Sequence, residues 1–326
     1  MPTKAETVAA LSRPTVGDGQ HPLESTRYIL PTPQVEEMCA QVAHWVRLRN
    51  PGAIIHAPPR HGKSRGLEIL RRDLNESFPG MPVLLLPAWN YTQPKEKSFF
   101  SDLLTASGHV LNKSGSADDM RDRLVHFLAE QGTYNGHGRV LLIVDEAQNL
   151  HPRHYNWLIG VHNMLSLREV NFIVLLVGQQ ELLAQRAAFV KADKKQIVGR
   201  FMIHAQAFHG VRSSEDLHAI LKVYDDCTEY PPGSGWSFTR YYAASEFDRG
   251  WRLAMLSEEF WAAFHEARSA TPKGRAGDIP MQYVCRTIEH FLLHFDGLQL
   301  NDQMSVRSLI SAAVANSGYL ETLIMS

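Results

Sequence analysis

Residues 57–64 read Ala57-Pro58-Pro59-Arg60-His61-Gly62-Lys63-Ser64, and this arrangement suits a polyphosphate. Backbone N–H groups in a turn that opens a helix converge on anionic oxygens, and the positive end of the helix adds to the attraction. Gly62 is expected to let the backbone close on the phosphates. Lys63 is expected to reach the β and γ phosphates, and Ser64 to place its hydroxyl on Mg2+. Pro59, Arg60, His61 and Arg65 complete the set expected to surround ATP. The octet departs from the Walker A pattern only at its first position, where Ala57 replaces glycine. The alternative is a chance Gly-Lys-Ser tripeptide. An apolar strand before the loop and a helical pattern after it argue against chance.

A second cluster begins at Val140. The run Val140-Leu141-Leu142-Ile143-Val144 is an apolar strand that ends in Asp145-Glu146, the Walker B arrangement. Asp145 is expected to hold Mg2+ with Ser64, and Glu146 to orient and polarise the attacking water. The second carboxylate makes the site read as hydrolytic rather than only nucleotide-binding. A further apolar run, Val174–Gly178, ends in Gln179-Gln180. Chemistry in a parallel α/β sheet lies beyond the carboxyl ends of the strands. Gln179 is therefore a candidate for contact with the γ-phosphate or the lytic water, against the alternative of an ordinary polar turn.

These residues need a frame. Residues 53–57, 83–86, 139–144, 172–177 and 201–205 read as buried strands, because their apolar runs are continuous rather than alternating. Helical patterns separate them: 33–49, 63–78, 98–106, 117–130, 156–167 and 181–198, the last with a lysine-rich middle that can loop out. Strands alternating with helices predict an α/β three-layer sandwich with a mostly parallel sheet. After about His209 the segments 214–224, 245–267, 281–293 and 305–324 read as helices and no strand run stands out. The expected organisation is a flexible arm over 1–25, an α/β domain over 26–210 and an all-helical domain over 211–326.

The bulk properties exclude some classes. The chain has 326 residues, of which 44% are apolar, enough for a packed core. A formal charge of −1 does not suggest a nucleic-acid binder, and leaves open a local basic patch. Cys39, Cys227 and Cys285 are far apart and odd in number, which reads as free thiols in a reducing, cytoplasmic setting. No run is long enough to cross a bilayer, so no membrane partner is expected. His151, His154 and His162 fit no compact zinc spacing.

The motifs His56–Ser64, LIVDEAQNL over 142–150, LVGQQEL over 176–182, QIVGRF over 196–201 and GRAGDI over 274–279 resemble the AAA+ ATPases that regulate DNA transposition, the TniB/TnsC-like group. The resemblance runs from about Thr26 to about His290. It implies the P-loop AAA+ fold, with the helical domain as a lid, and self-association into a ring or helical filament on double-stranded DNA. It also implies a transposase and a target-selection protein as partners. Arg200, in the QIVGRF run, matches the expected arginine finger for a neighbouring subunit's γ-phosphate, with Arg186 as the weaker candidate. Gln179 stands where Thr or Asn is frequent. Arg275 matches the lid turn without a clear role. In such rings the segment after the second strand tends to face the pore, which makes Thr92, Lys95 and Lys97 candidate DNA-phosphate contacts beside Tyr91. A solvated lysine pair at a helix start is the alternative.

The function so implied is an ATP-dependent regulator of transposition that marks a target and recruits or activates the transposase, with hydrolysis controlling disassembly. The rivals are an AAA+ ATPase of another pathway, secretion-associated or helicase-loader-like, a scaffold that senses ATP without hydrolysing it, and a small-molecule kinase.

Overall fold

The computed structural model describes residues 12–90, 93–134, 137–270, 277–297 and 302–325. They fall into two compact units. One takes in residues 37–59 and 63–208; the other takes in residues 60–62 and 209 onward, together with the segment up to 36.

The first unit is built on a parallel sheet of β1 (Gly52–His56), β2 (Val83–Pro87), β3 (Arg139–Asp145), β4 (Asn171–Gly178) and β5 (His204–Ala207), in the order β2-β3-β4-β1-β5. The interiors of β1, β3 and β4 are buried without a break. Helices cover such strands on both faces, so a hydrophobic side chain is stabilised whichever way it points. Register carries Asp145, the last residue of β3, opposite Pro87, and Val144 opposite Leu176. The strands that bear chemistry therefore end at one edge of the sheet.

Two expectations differ in detail. The fifth strand begins at His204 rather than Phe201, because Phe201 is fully buried as the last residue of a short helix, Lys195–Phe201. The pattern over 181–198 is two helices, Glu181–Lys191 and Lys195–Phe201. The lysine-rich middle between them turns through Asp193, whose φ is +54°. Gly52 shows why β1 opens on glycine. A Cβ there would lie 2.6 Å from the Arg200 carbonyl oxygen and from Phe201 Cα.

The second unit packs the helices Ser214–Asp226, Ser257–Ser269, Met281–His294 and Gln303–Asn316 around one apolar cluster that includes Leu221, Phe260, Ile288 and Ile310. The pattern over 245–267 is not one helix. It breaks at Gly250 (φ +100°) into Ala244–Asp248, a 3-10 turn at Leu253–Leu256 and Ser257–Ser269. Buried Asp225 satisfies the freed backbone by accepting from the N–H groups of Leu253 and Ala254, each at 3.0 Å. The pattern over 305–324 likewise breaks at Gly318 (φ +83°). A short helix at Phe238–Tyr242 had no counterpart in the sequence pattern. Of the arm expected over 1–25, residues 1–11 lie outside the described residues. His21 and Leu23 are buried in the helical unit, with the His21 ring against Tyr230, Phe238, Tyr241 and Tyr242. The arm is thus folded from His21 onward, because four aromatic rings enclose that histidine.

Among the described residues, Cys39, Cys227 and Cys285 form no disulfide. Among the described residues no helix is long and apolar enough to cross a membrane.

Two histidines give the fold an acid-sensitive side. His154 Nδ1 accepts from the His151 N–H (2.9 Å) at the start of the helix Pro152–Ser166, and His21 Nδ1 accepts from the Leu23 N–H (3.2 Å). Burial pushes the pKa of each from 6.5 down to about 4. The unfolded chain therefore binds more protons than the folded one between these values. Stability is full above about pH 6.5 and is lost as pH falls toward 4, by up to about 1.4 kcal/mol per pH unit for each histidine. Thermal melts at pH 7.5, 6.0 and 5.0 are expected to show a steady fall in Tm, and His154→Asn to reduce that fall. An unchanged Tm across the range contradicts the account.

Candidate active site

The phosphate loop follows β1. Ala57 continues the ladder, with its N–H donating to the Gly178 carbonyl at 3.1 Å, and its side chain is buried. Its backbone is not left-handed, so a methyl group is tolerated where the pattern has glycine. The left-handed positions come later, at Arg60 (φ +68°) and Gly62 (φ +94°). Pro59 is exposed, and so is Arg65, which faces Glu68 at 4.0 Å. Arg60 to Gly62 group with the helical unit, where the Arg60 guanidinium donates to Tyr283 and Thr322 and His61 is buried. The Arg60 side chain is thereby committed to those hydroxyls, while its backbone keeps its place in the loop.

Lys63 opens the helix Lys63–Ser77 and is only 5% exposed. Its Nζ donates to the carbonyls of Ala57 (3.0 Å) and Pro58 (3.1 Å) and, among the described residues, forms no ion pair. Burial is the largest influence on this ammonium and lowers its pKa, while Glu146, Asp145 and Glu181 raise it. A buried cation bonded only to neutral carbonyls fits an anionic ligand. Beside it, Ser64 Oγ donates to Asp145 Oδ2 at 2.9 Å. Hydroxyl and carboxylate oxygens are the hard donors that Mg2+ takes. Residues eighty-one positions apart in sequence thus meet at one point.

Glu146 follows Asp145 in left-handed backbone (φ +52°, ψ +39°), and its N–H donates to Asp145 Oδ1 at 2.9 Å. Such a conformation costs a non-glycine residue on the order of 1 kcal/mol or more, and persists only where the surroundings enforce it. Glu146 Oε2 accepts from Gln148 Nε2 (2.6 Å) and from Gln179 Nε2 (3.3 Å). The structure therefore brings Lys63, Ser64, Asp145, Glu146 and Gln179 to one edge of the sheet. Gln148 and Gly178 join them. Both stood within the motifs quoted above without a role, and the signal that could have marked them is the pairing of the two polar runs that follow β3 and β4.

Arg200 lies elsewhere. Its backbone sits against Gly52, the first residue of β1, whereas the phosphate loop leaves the last residue of that strand, about 13 Å away at ~3.3 Å per residue. Its guanidinium donates to Asn163 Oδ1 at 3.3 Å, and Arg186 donates to the Ile203 carbonyl at 3.2 Å. Lys95 and Lys97 are exposed at the start of the helix Glu96–Ala106. Tyr91, Thr92 and Arg275 lie outside the described residues.

Residues 48–185 match the model of the AAA domain family. No curated protein matches the chain. Among solved structures the chain is similar to the Aeropyrum pernix ORC2 protein in its ADPNP-ADP complexes. That likeness has 15% identity and a TM-score of 0.57, over 91% of this chain and 71% of that one. It is also similar to the Aeropyrum pernix ORC1 protein in complex with DNA (13% identity, TM-score 0.42, 89% and 82% covered) and to AMPPCP-bound DnaA from Aquifex aeolicus (14%, 0.34, 93% and 87%). At 15% identity the likeness to the ORC2 protein is one of fold.

Proposed function

We propose, from the parallel-sheet AAA+ P-loop fold with its helical C-terminal region, that this chain is an ATPase whose nucleotide state controls its assembly on DNA. The observation that carries the proposal is the Ser64–Asp145 contact, which joins the phosphate loop to the acidic strand end beside the buried Lys63. Lys63 and the loop backbone would hold the phosphates, and Pro59, Gly62 and Arg65 would belong to the same phosphate-binding stretch. Ser64 and Asp145 would hold Mg2+, which supplies positive charge to the phosphate oxygens. Glu146 would orient the attacking water, with Gln179 beside it. Arg200, remote from its own chain's phosphate loop, would complete the site of a neighbouring copy.

Regulation of transposition is the reading the motif set supports, through LIVDEAQNL, GQQEL and QIVGRF together. In it the chain assembles as a ring or filament on duplex DNA, meets a target-selection protein and recruits a transposase. Exposed Lys95 and Lys97 would contact phosphates without reading sequence. A second reading, an AAA+ ATPase of the initiator or helicase-loader type, rests on the likeness of fold to the Aeropyrum pernix ORC2 protein over 91% of the chain.

Filter binding of labelled DNA with a non-hydrolysable ATP analogue and with ADP tests the proposal. Duplex DNA of unrelated sequences is expected to bind about tenfold or more tightly with the analogue, and Lys63→Ala to abolish the difference. Equal affinity in both nucleotide states overturns the coupling. A preference for single strands favours the second reading over the first.

A further inference from the structure

Gln148 has no part in the chemistry described so far, and its side chain touches the two groups nearest to that chemistry. Its Nε2 donates to Glu146 Oε2 at 2.6 Å, and its Oε1 accepts from the Gln179 N–H at 3.0 Å. Only one orientation of the amide serves both partners. The opposite one would set oxygen against carboxylate and N–H against N–H.

The seat for this amide is built. A Cβ on Gly178 would lie 2.2 Å from Gln148 Oε1 and 2.8 Å from Leu182 Cδ1, so β4 ends on the one residue type that leaves the space. The residues after Glu146 tie their 3-10 turn (Ala147–Asn149) to the sheet one after another. Ala147 is fully buried, Gln148 is bonded to the residue after β4, and Asn149 Nδ2 donates to the carbonyl of Ala88, just past β2, at 2.9 Å. Glu146 is thereby fixed in its left-handed conformation from the side of the turn.

Both amide donors fall on Glu146 Oε2, and among the described residues Oε1 accepts no hydrogen bond. Two donors on one oxygen set the plane of the carboxylate and leave the second oxygen for water.

We propose that Gln148 is a positioning residue for Glu146, holding one carboxylate oxygen so that the other faces the attacking water. This rests on the ATPase reading of the site. Gln148→Met keeps the volume and removes both bonds. It is expected to lower kcat about tenfold to a hundredfold, as loss of a hydrogen bond to a charged group does, with ATP affinity, read by a fluorescent nucleotide, within about twofold. In a Glu146→Gln background the same change is expected to add nothing to the loss, because its effect passes through the carboxylate.

Gln148→Met turnover within twofold of wild type overturns the proposal, as does an equal loss of ATP affinity and kcat, or an undiminished further loss in the Glu146→Gln background. If thermal melts show Gln148→Met unfolded, Gly178→Ala, which displaces the amide with a single methyl group, is expected to give the same split between kcat and affinity, and its absence there overturns the proposal. A wild-type chain that turns over no ATP, with or without duplex DNA, ends the ATPase reading and this inference together. Turnover by wild type with an unaffected Gln148→Met ends this inference alone.

Discussion

Glu146→Gln is expected to reduce ATP turnover on the order of a thousandfold, the scale on which a positioned base contributes, while leaving ATP binding close to that of the wild-type chain. The substitution keeps the shape of the side chain and the left-handed turn that carries it. It replaces one acceptor oxygen by a donor, so the group that would receive a proton from water is gone. The Lys63 bonds to the carbonyls of Ala57 and Pro58 and the Ser64–Asp145 bond do not involve the Glu146 side chain. Single-turnover phosphate release and equilibrium nucleotide binding, measured on the same preparation, separate the two effects. Retained turnover would remove Glu146 from the reaction. Lost binding would mean that the carboxylate is part of the cradle rather than of the chemistry.

Arg200→Ala is expected to have an effect of similar size, about a thousandfold or more, since an arginine finger supplies charge only to the transition state. The geometry makes the stronger prediction that the loss is shared between copies. Arg200 is anchored at Gly52, at the opening end of β1, and its guanidinium points to Asn163. The phosphate loop leaves the closing end of the same strand, so the arginine does not serve its own chain's loop. Mixing Arg200→Ala chains with Lys63→Ala chains, each inactive alone, should recover activity. By random pairing about one interface in four joins an intact loop to an intact arginine in a head-to-tail assembly. No recovery at any mixing ratio, with both variants folded and able to assemble, removes Arg200 from the reaction in trans.

Residues with no chemistry of their own set the neighbourhood of Arg200. Gly52 sits under the backbone of Arg200 and Phe201, and Phe201 is fully buried. The helix Lys195–Phe201 is therefore held at its last turn, and the direction in which Arg200 can project follows from the packing of that turn.

Much of the architecture is legible residue by residue. The runs at 140–144 and 172–177 are apolar without interruption, which a strand covered on both faces requires and an amphipathic helix does not. The loop at 57–64 is legible because polyphosphate chemistry demands glycine, lysine and a hydroxyl in a fixed order at a helix start. Helix ends were harder to read. Gly250 and Gly318 interrupt patterns that look continuous, because the apolar spacing on either side of each break survives it. The fifth strand reads from the sequence as 201–205, but Phe201 closes a helix, and pairing with β1 sets the strand at His204–Ala207.

The candidate site divides in the same way. The types and order of Lys63, Ser64, Asp145 and Glu146 are properties of the sequence alone, because each motif is local and its chemistry prescribes its residues. The meeting of those motifs is a property of the sheet. Parallel pairing of β3 with β4, and of β4 with β1, brings three strand ends to one edge, and no local pattern specifies which strands are neighbours. The same pairing makes Gln148 a partner of Glu146 and Gln179 and gives Gly178 its reason. A hydrogen bond across thirty-one residues depends on where two strands stop relative to each other, and that is decided only when the sheet has formed.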